Sequence, residues 1–138
     1  MKILIIHGPN MNLFGLRNIK ENNMLTLDKI NSHIRKHIKE KNIQIKILQT
    51  HNEAKAVSYI QNNRKKINGL ILTPCAWNNN GFILNELLDL IKLKYVTINI
   101  ENEENNKLFL LGEKIHNTNI LLSFQQALDY FYESKNIN

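Results

Sequence analysis

The feature that most constrains this chain is an alternation of two hydrophobic periods. Lys2-Ile3-Leu4-Ile5-Ile6-His7 is a β-branched run broken by Gly8-Pro9, as a buried strand would be. Ile43-Gln44-Ile45-Lys46-Ile47-Leu48 alternates and then continues apolar, and Gly69-Leu70-Ile71-Leu72 stops before Pro74. Residues 95–100 read as a fourth strand and 119–122 as a fifth. Between these runs the period changes to that of a helix. Leu27, Ile30, Ile34 and Ile38 follow Thr26, a residue type suited to an N-cap. Residues 52–66 carry Ala56, Val57 and Ile60 on one stripe, 80–93 repeat the period through Ile83, Leu84, Leu87, Leu88 and Ile91, and 125–133 form a closing helix. Residues 15–23 are polar and read as a loop. Strands alternating with helices require right-handed crossovers, and so a doubly wound α/β fold with a parallel sheet between two helical layers. Ligands of such sheets sit beyond the carboxyl ends of the strands. That directs attention to residues 7–23, 49–53, 73–80 and 99–106.

Composition narrows the function classes. The 138 residues suit one domain spanning 1–138, with no repeat or linker to divide it. Residues 134–138 are expected to fray. No apolar run approaches the roughly 18 residues of a membrane span, and the four-residue run after Lys2 is too short for a signal peptide. One cysteine, Cys75, makes no internal disulfide, so a cytoplasmic setting is expected. The formal charge is +6, yet only 3 of the 18 cations are Arg, the residue suited to bidentate phosphate contacts. Asn, Ile and Lys make up 58 of the 138 residues; all three have A- and T-rich codons, so codon bias is enough to account for the charge. Neither a nucleic-acid partner nor a membrane is expected.

The loops hold no common cofactor motif. The two glycines of the first loop, Gly8 and Gly15, are too far apart for a dinucleotide turn, and no P-loop is present. His7, His33, His37, His51 and His116 form no ligand set with the single cysteine, so no metal is expected. His33 and His37, four apart on a helix, read as two solvated residues rather than a surface metal site.

The segment Gly8-Pro9-Asn10-Met11-Asn12-Leu13-Phe14-Gly15-Leu16-Arg17 resembles the opening motif of type II 3-dehydroquinate dehydratases, Gly-Pro-Asn-Leu-Asn-Leu-Leu-Gly-x-Arg. Gln49-Thr50-His51-Asn52-Glu53, Thr73-Pro74-Cys75-Ala76-Trp77 and Ser123-Phe124 through Phe131 are similar, in order, to later family segments. The resemblance implies a flavodoxin-like five-stranded parallel sheet in the order 2-1-3-4-5, assembled as a homotrimer or dodecamer. It also implies cofactor-free loss of water from 3-dehydroquinate, a small carboxylate, through an enolate. In the family a lid tyrosinate beside an arginine removes the proton, an asparagine holds a water against the enolate oxygen, and a histidine protonates the leaving hydroxyl. An Asn–His–Ser–Arg set grips the substrate. This is acid–base catalysis with electrostatic stabilisation.

Carried over position by position, the resemblance keeps the scaffold and loses the chemistry. Asn10 matches the water-site asparagine and Arg17 the lid arginine. The lid tyrosine aligns with Asn22, whose amide has no usable basicity. In the substrate grip, Thr73 stands for asparagine, Asn79 for histidine and Glu101 for serine, while Asn106 and Leu110 stand for arginines. The second histidine aligns with Asn99. Asn102 is retained, and Glu86 replaces an aspartate that reaches a neighbouring subunit. Asn10 and Asn12 also suit a turn after the first strand. Glu21 reads as a solvated loop acid, with replacement of the lost base as its alternative, and His51, beyond the second strand, is an alternative source of the lost acid. Tyr59, Tyr95, Tyr130 and Tyr132 fall on predicted helices or strands, away from the lid. Cys75 reads as a small buried hydrophobe, and Trp77 as packing beside the site. The expectation is a diverged 3-dehydroquinate dehydratase, making 3-dehydroshikimate and water in the shikimate route to aromatic amino acids, with activity much reduced or lost. The alternative is a non-catalytic relic with a structural or small-ligand-binding role.

Overall fold

In the computed structural model, the described residues are 1–17, 24–101 and 106–137, with backbone alone for 135–137. Five strands, β1 (Lys2–His7), β2 (Gln44–Gln49), β3 (Gly69–Thr73), β4 (Tyr95–Ile98) and β5 (Glu113–Ile115), form one sheet in the order β2-β1-β3-β4-β5. Every neighbouring pair is parallel, with Ile5 opposite Ile47 on one side and Ile71 on the other. The flavodoxin-like α/β fold implied by the resemblance is the one observed.

Period-two alternation divides the core. Ile3, Ile5, Ile71, Val96 and Ile98 face α1 (Leu27–His37) and α5 (Ile120–Ile137), meeting Ile30, Ile34, Phe124, Leu128 and Phe131. Leu4, Ile6, Leu70, Leu72 and Tyr95 face α2 (Glu53–Asn63) and α4 (Phe82–Ile91), meeting Ala56, Ile60, Leu84 and Leu88. Because β1 and β3 are buried on both faces, they read as continuous apolar runs. Thr26 caps α1 by accepting the Lys29 amide, and Asn52 does the same for α2 through Lys55. No side chain of its own caps α4. Its first turn is served by Glu53, whose carboxylate accepts the Leu84 amide at 3.1 Å, a favourable charge at a helix N-terminus.

Three expectations need correction. Residues 119–122 are not the fifth strand; the chain enters α5 at Ile120. Ile120, Phe124, Ala127, Leu128 and Phe131 are all buried at helical spacing, and the four-residue window was too short to reveal that period. The true β5 is three residues long, with Glu113 and Lys114 exposed, so backbone pairing alone makes it a strand. His33 and His37 are not solvated either. His33 Nε2 accepts from Gln125 at 2.6 Å, and His37 lies 2.9 Å from the Asp129 carboxylate, so both tie α1 to α5. Finally, the helix expected over 80–93 is interrupted: a short α3 (Trp77–Asn80) precedes Gly81, and α4 starts at Phe82.

Gly69 marks where α5 meets the sheet. A Cβ there would lie 2.3 Å from the Phe131 ring, and that ring is buried. Gly69→Ala is expected to destabilise the fold by about 1–3 kcal/mol, the usual cost of overpacking. Urea unfolding checks this; an unchanged midpoint would show that α5 is not packed against β3 at this point.

Candidate active site

Beyond the carboxyl ends of β3 and β4 lies a cavity of about 190 Å³. Its walls are Arg17 from the first loop, Cys75, Ala76, Asn78 and Asn79 from the third, and Asn99, Ile100 and Glu101 from the fourth. Four residues singled out from sequence, Arg17, Asn79, Asn99 and Glu101, therefore share one pocket.

The first loop is brought there by contacts near its root. Gly8 donates its amide to the Thr73 carbonyl at 2.9 Å, and a Cβ at Gly8 would stand 2.5 Å from that oxygen. Only glycine permits the approach. Asn10 then turns the chain in the left-handed region, φ 66°, which Asn tolerates better than most residues. A 3-10 helix (Met11–Leu16) follows, anchored by the buried Met11 and Phe14. Arg17 ends it, half-buried, with its amide on the Phe14 carbonyl at 3.0 Å.

The third and fourth loops lock onto each other. Asn78 Nδ2 donates to Asn99 Oδ1 at 3.3 Å, and both residues are buried. The Asn99 amide donates to the Ile115 carbonyl at 3.0 Å, and the Asn99 carbonyl faces His116 Nδ1 at 2.9 Å. Asn99 is thus fixed from both the site and the β5 side. Asn78 was not singled out from sequence. In the run Asn78-Asn79-Asn80 only the turn of α3 decides which amide points inward, and nothing in the sequence signals that turn.

The remaining candidates lie elsewhere. Thr73 is fully buried, its hydroxyl 3.4 Å from both the Ile6 carbonyl and the Gly8 amide, so it ties β1 to β3 rather than facing the cavity. The Asn10 side chain is exposed and outside the cavity wall, as is Asn12. His51, weighed as an alternative source of the lost acid, is exposed; its Nδ1 accepts the Asn10 amide at 3.0 Å, and it is not among the described residues of the cavity wall. Glu86 and Leu110 are exposed outside the wall, and Asn106 is half-buried. Asn22, Glu21 and Asn102 lie outside the described residues. Cys75, expected as a buried hydrophobe, is only half-buried and sits at φ 52° in the cavity wall, a conformation in which glycine would be unstrained. Trp77 packs beside the site, 4% exposed.

Chemically the wall offers one guanidinium, one carboxylate, three amides and a thiol. Arg stays charged and amides do not titrate, so among the described residues of the wall Glu101 and Cys75 are the groups able to gain or lose a proton. Beneath this site, at the end of β1, His7 is fully buried between Asn31 and Phe124. Its Nε2 meets Asn31 Oδ1 at 2.8 Å, and burial pushes its pKa from 6.5 down to about 4, opposed in part by the Asn31 hydrogen bond.

A parallel sheet in this order with a polar pocket beyond its strand ends defines a flavodoxin-like α/β protein. The chain belongs to the class II dehydroquinase family, lyases of the shikimate pathway, whose family model matches residues 1–118. It is 30% identical over 109 residues to the 3-dehydroquinate dehydratase of Geotalea daltonii, covering 79% of this chain and 76% of that protein. The 3-dehydroquinate dehydratase of Halothermothrix orenii is 30% identical over 101 residues, 73% of this chain and 68% of its own. Among solved structures, a type II dehydroquinase from Butyrivibrio crossotus superposes with a TM-score of 0.81 at 24% identity, over 94% of this chain and 96% of that one. A 3-dehydroquinate dehydratase-like protein from Bifidobacterium longum gives 0.68 at 18% identity, over 94% and 93%. No described helix is long and apolar enough to cross a membrane.

The depressed His7 pKa has a stability consequence. The folded chain keeps the imidazole neutral, whereas the unfolded chain takes up a proton near pH 6.5, so acid favours unfolding. The stability is intact above about pH 6.5 and falls as the pH drops toward 4, by roughly 3 kcal/mol in all. Urea unfolding at pH 7.5, 5.5 and 4.5 should show a steeper decline for the wild type than for His7→Gln. Parallel declines would place the acid sensitivity in other groups.

Proposed function

We propose that this protein is a dehydroquinase-fold member in which fast dehydration of 3-dehydroquinate has been lost while the pocket has been kept. One observation supports this reading above others: the cavity wall sets Arg17 beside Asn79, Asn99 and Glu101, with neither imidazole nor phenol among its described residues. Proton abstraction α to a carbonyl needs a base whose pKa approaches the working pH, and such a base contributes roughly 10²–10⁴-fold. The lid position holds Asn22, and both family histidine positions hold Asn. With base and acid both missing, turnover should fall at least about 10⁴-fold below that of an intact family member, or roughly 5.5 kcal/mol of barrier. Ultraviolet absorbance of the conjugated enone product reads this directly. Asn22→Tyr alone should not restore the rate, whereas Asn22→Tyr, Asn79→His, Asn99→His and Leu110→Arg together should recover part of it. Wild-type turnover near that of an intact enzyme would overturn the proposal and point to Glu21 or His51 as the replacement group.

The same reading extends to assembly and domain extent. The outward face of α4 presents Phe82, Ile83 and Leu90 at 64%, 63% and 71% exposure, with Glu86 among them. So apolar a stripe suits an interface between copies, and we propose a homotrimer or a multiple of it with Glu86 at the subunit boundary. All 138 residues form one unit in this reading, since α5 lies beyond the matched segment and yet buries Phe124, Leu128 and Phe131 in the core it shares with the sheet. Sedimentation at micromolar concentration should give a trimer or larger, and Phe82→Glu with Ile83→Glu should shift it toward monomer. A wild-type monomer would overturn the assembly proposal.

A further inference from the structure

We propose that the pocket selects a small zwitterion, a compound carrying one carboxylate and one ammonium group, over a simple anion of the same size. The inference rests on the reading above that the pocket is kept for binding rather than for fast dehydration. Arg17 and Glu101 line one cavity, and among the described residues neither forms an ion pair with the other or with any third group. Two opposite charges held apart in one pocket are complementary to a ligand that carries both. A lone carboxylate approaching Arg17 also meets Glu101, and attraction and repulsion offset each other; a lone ammonium meets the mirror image of that conflict. Only a ligand with both charges gains at both ends.

The buried amide pair repeats this dual character. Asn78 and Asn99 hydrogen-bond to each other through one amide nitrogen and one amide oxygen. Each side chain carries one donor group and one acceptor group, so whichever way the pair is read, one donor and one acceptor remain for a ligand. A donor suits a carboxylate oxygen and an acceptor suits an ammonium hydrogen. Asn79, exposed at the mouth, supplies a further amide of either kind. The cavity volume of about 190 Å³ sets the scale. A cavity of about 150 Å³ takes a benzene-sized molecule, so a six-membered ring with two small substituents, or a compact amino acid, is the size class that fits.

Three probes on the same six-membered ring, carrying the two charged groups together or one at a time, test the idea with the full chain. They are 3-aminocyclohexanecarboxylate (zwitterion), cyclohexanecarboxylate (anion) and cyclohexylammonium (cation). Titration into ¹⁵N-labelled protein should shift the amides of Arg17, residues 75–79 and residues 99–101. The zwitterion should bind about tenfold more tightly than either singly charged probe, the factor expected for one added favourable contact. Glu101→Gln, at an exposed position, should bring the zwitterion and the anion to about equal affinity; Arg17→Gln should do the same for zwitterion and cation. Cyclohexanecarboxylate binding as tightly as the zwitterion would overturn the proposal. So would the absence of binding by any probe, shifts confined to residues outside the pocket, or a zwitterion preference that survives Glu101→Gln. The enone assay separates the two readings: slow turnover with no zwitterion preference removes this inference alone, and fast turnover removes the reading beneath it.

Discussion

The hydrogen bond from the Gly8 amide to the Thr73 carbonyl, at 2.9 Å, governs how the site is assembled. It forms where β1 and β3 end together, in contact with the buried Thr73 hydroxyl, and it draws the first loop across the start of the third. The approach leaves no room for a side chain at Gly8. From that junction the left-handed turn at Asn10 and the 3-10 helix through Phe14 carry the chain to Arg17, opposite Cys75 and Asn79. A loop rooted even one strand spacing away, nearly 5 Å, would leave Arg17 outside the cavity. The same junction gives the Gly-Pro-Asn opening a structural role, since Gly8 permits the close approach and Asn10 makes the left-handed turn that routes the backbone toward the cavity.

Much of the fold was legible because its signals are periodic. The run Ile3 to Ile6 and the stripe Ile30, Ile34, Ile38 each repeat their pattern long enough to distinguish strand from helix, and both appear as expected. The signal failed where the element was too short or too polar. Glu113-Lys114-Ile115 has one inward side chain and two charged ones, so its strand identity comes from pairing with β4 and not from composition. Residues 119–122 form an apolar patch whose helical period appears only when Phe124, Leu128 and Phe131 are counted with it. At the site, the resemblance pointed to Arg17, Asn79, Asn99 and Glu101, which the fold brings to one cavity, and missed Asn78. A triple asparagine carries no directional information in sequence; the turn of α3 supplies it.

The contrast between His7 and the pocket shows how environment, more than residue type, sets chemistry. This chain keeps an imidazole within the site's supporting structure, yet burial holds it neutral well below physiological pH and Asn31 occupies its Nε2. A histidine so placed stiffens the join between α1, β1 and α5 and takes no part in proton exchange with the pocket. His51 is accessible but already fastened through Nδ1 to the backbone of Asn10. The described wall sets an amide pair, locked across two loops, in one cavity with Arg17, Cys75 and Glu101.

The two edges of the sheet have a consequence for how the protein avoids misassembly. An open strand edge presents unpaired amides and carbonyls to any passing chain, and long apolar edges invite strand-to-strand fusion. Here β5 ends the sheet after three residues with Glu113 and Lys114 facing water, and β2 ends the other side with Gln44 and Lys46 exposed. Each edge is blunted by shortness or by charge. A chain with as many isoleucines as this one would otherwise carry a standing risk of stacking into cross-β aggregates. Five of them, Ile3, Ile5, Ile6, Ile71 and Ile98, lie in the three central strands, where both backbone edges are already occupied.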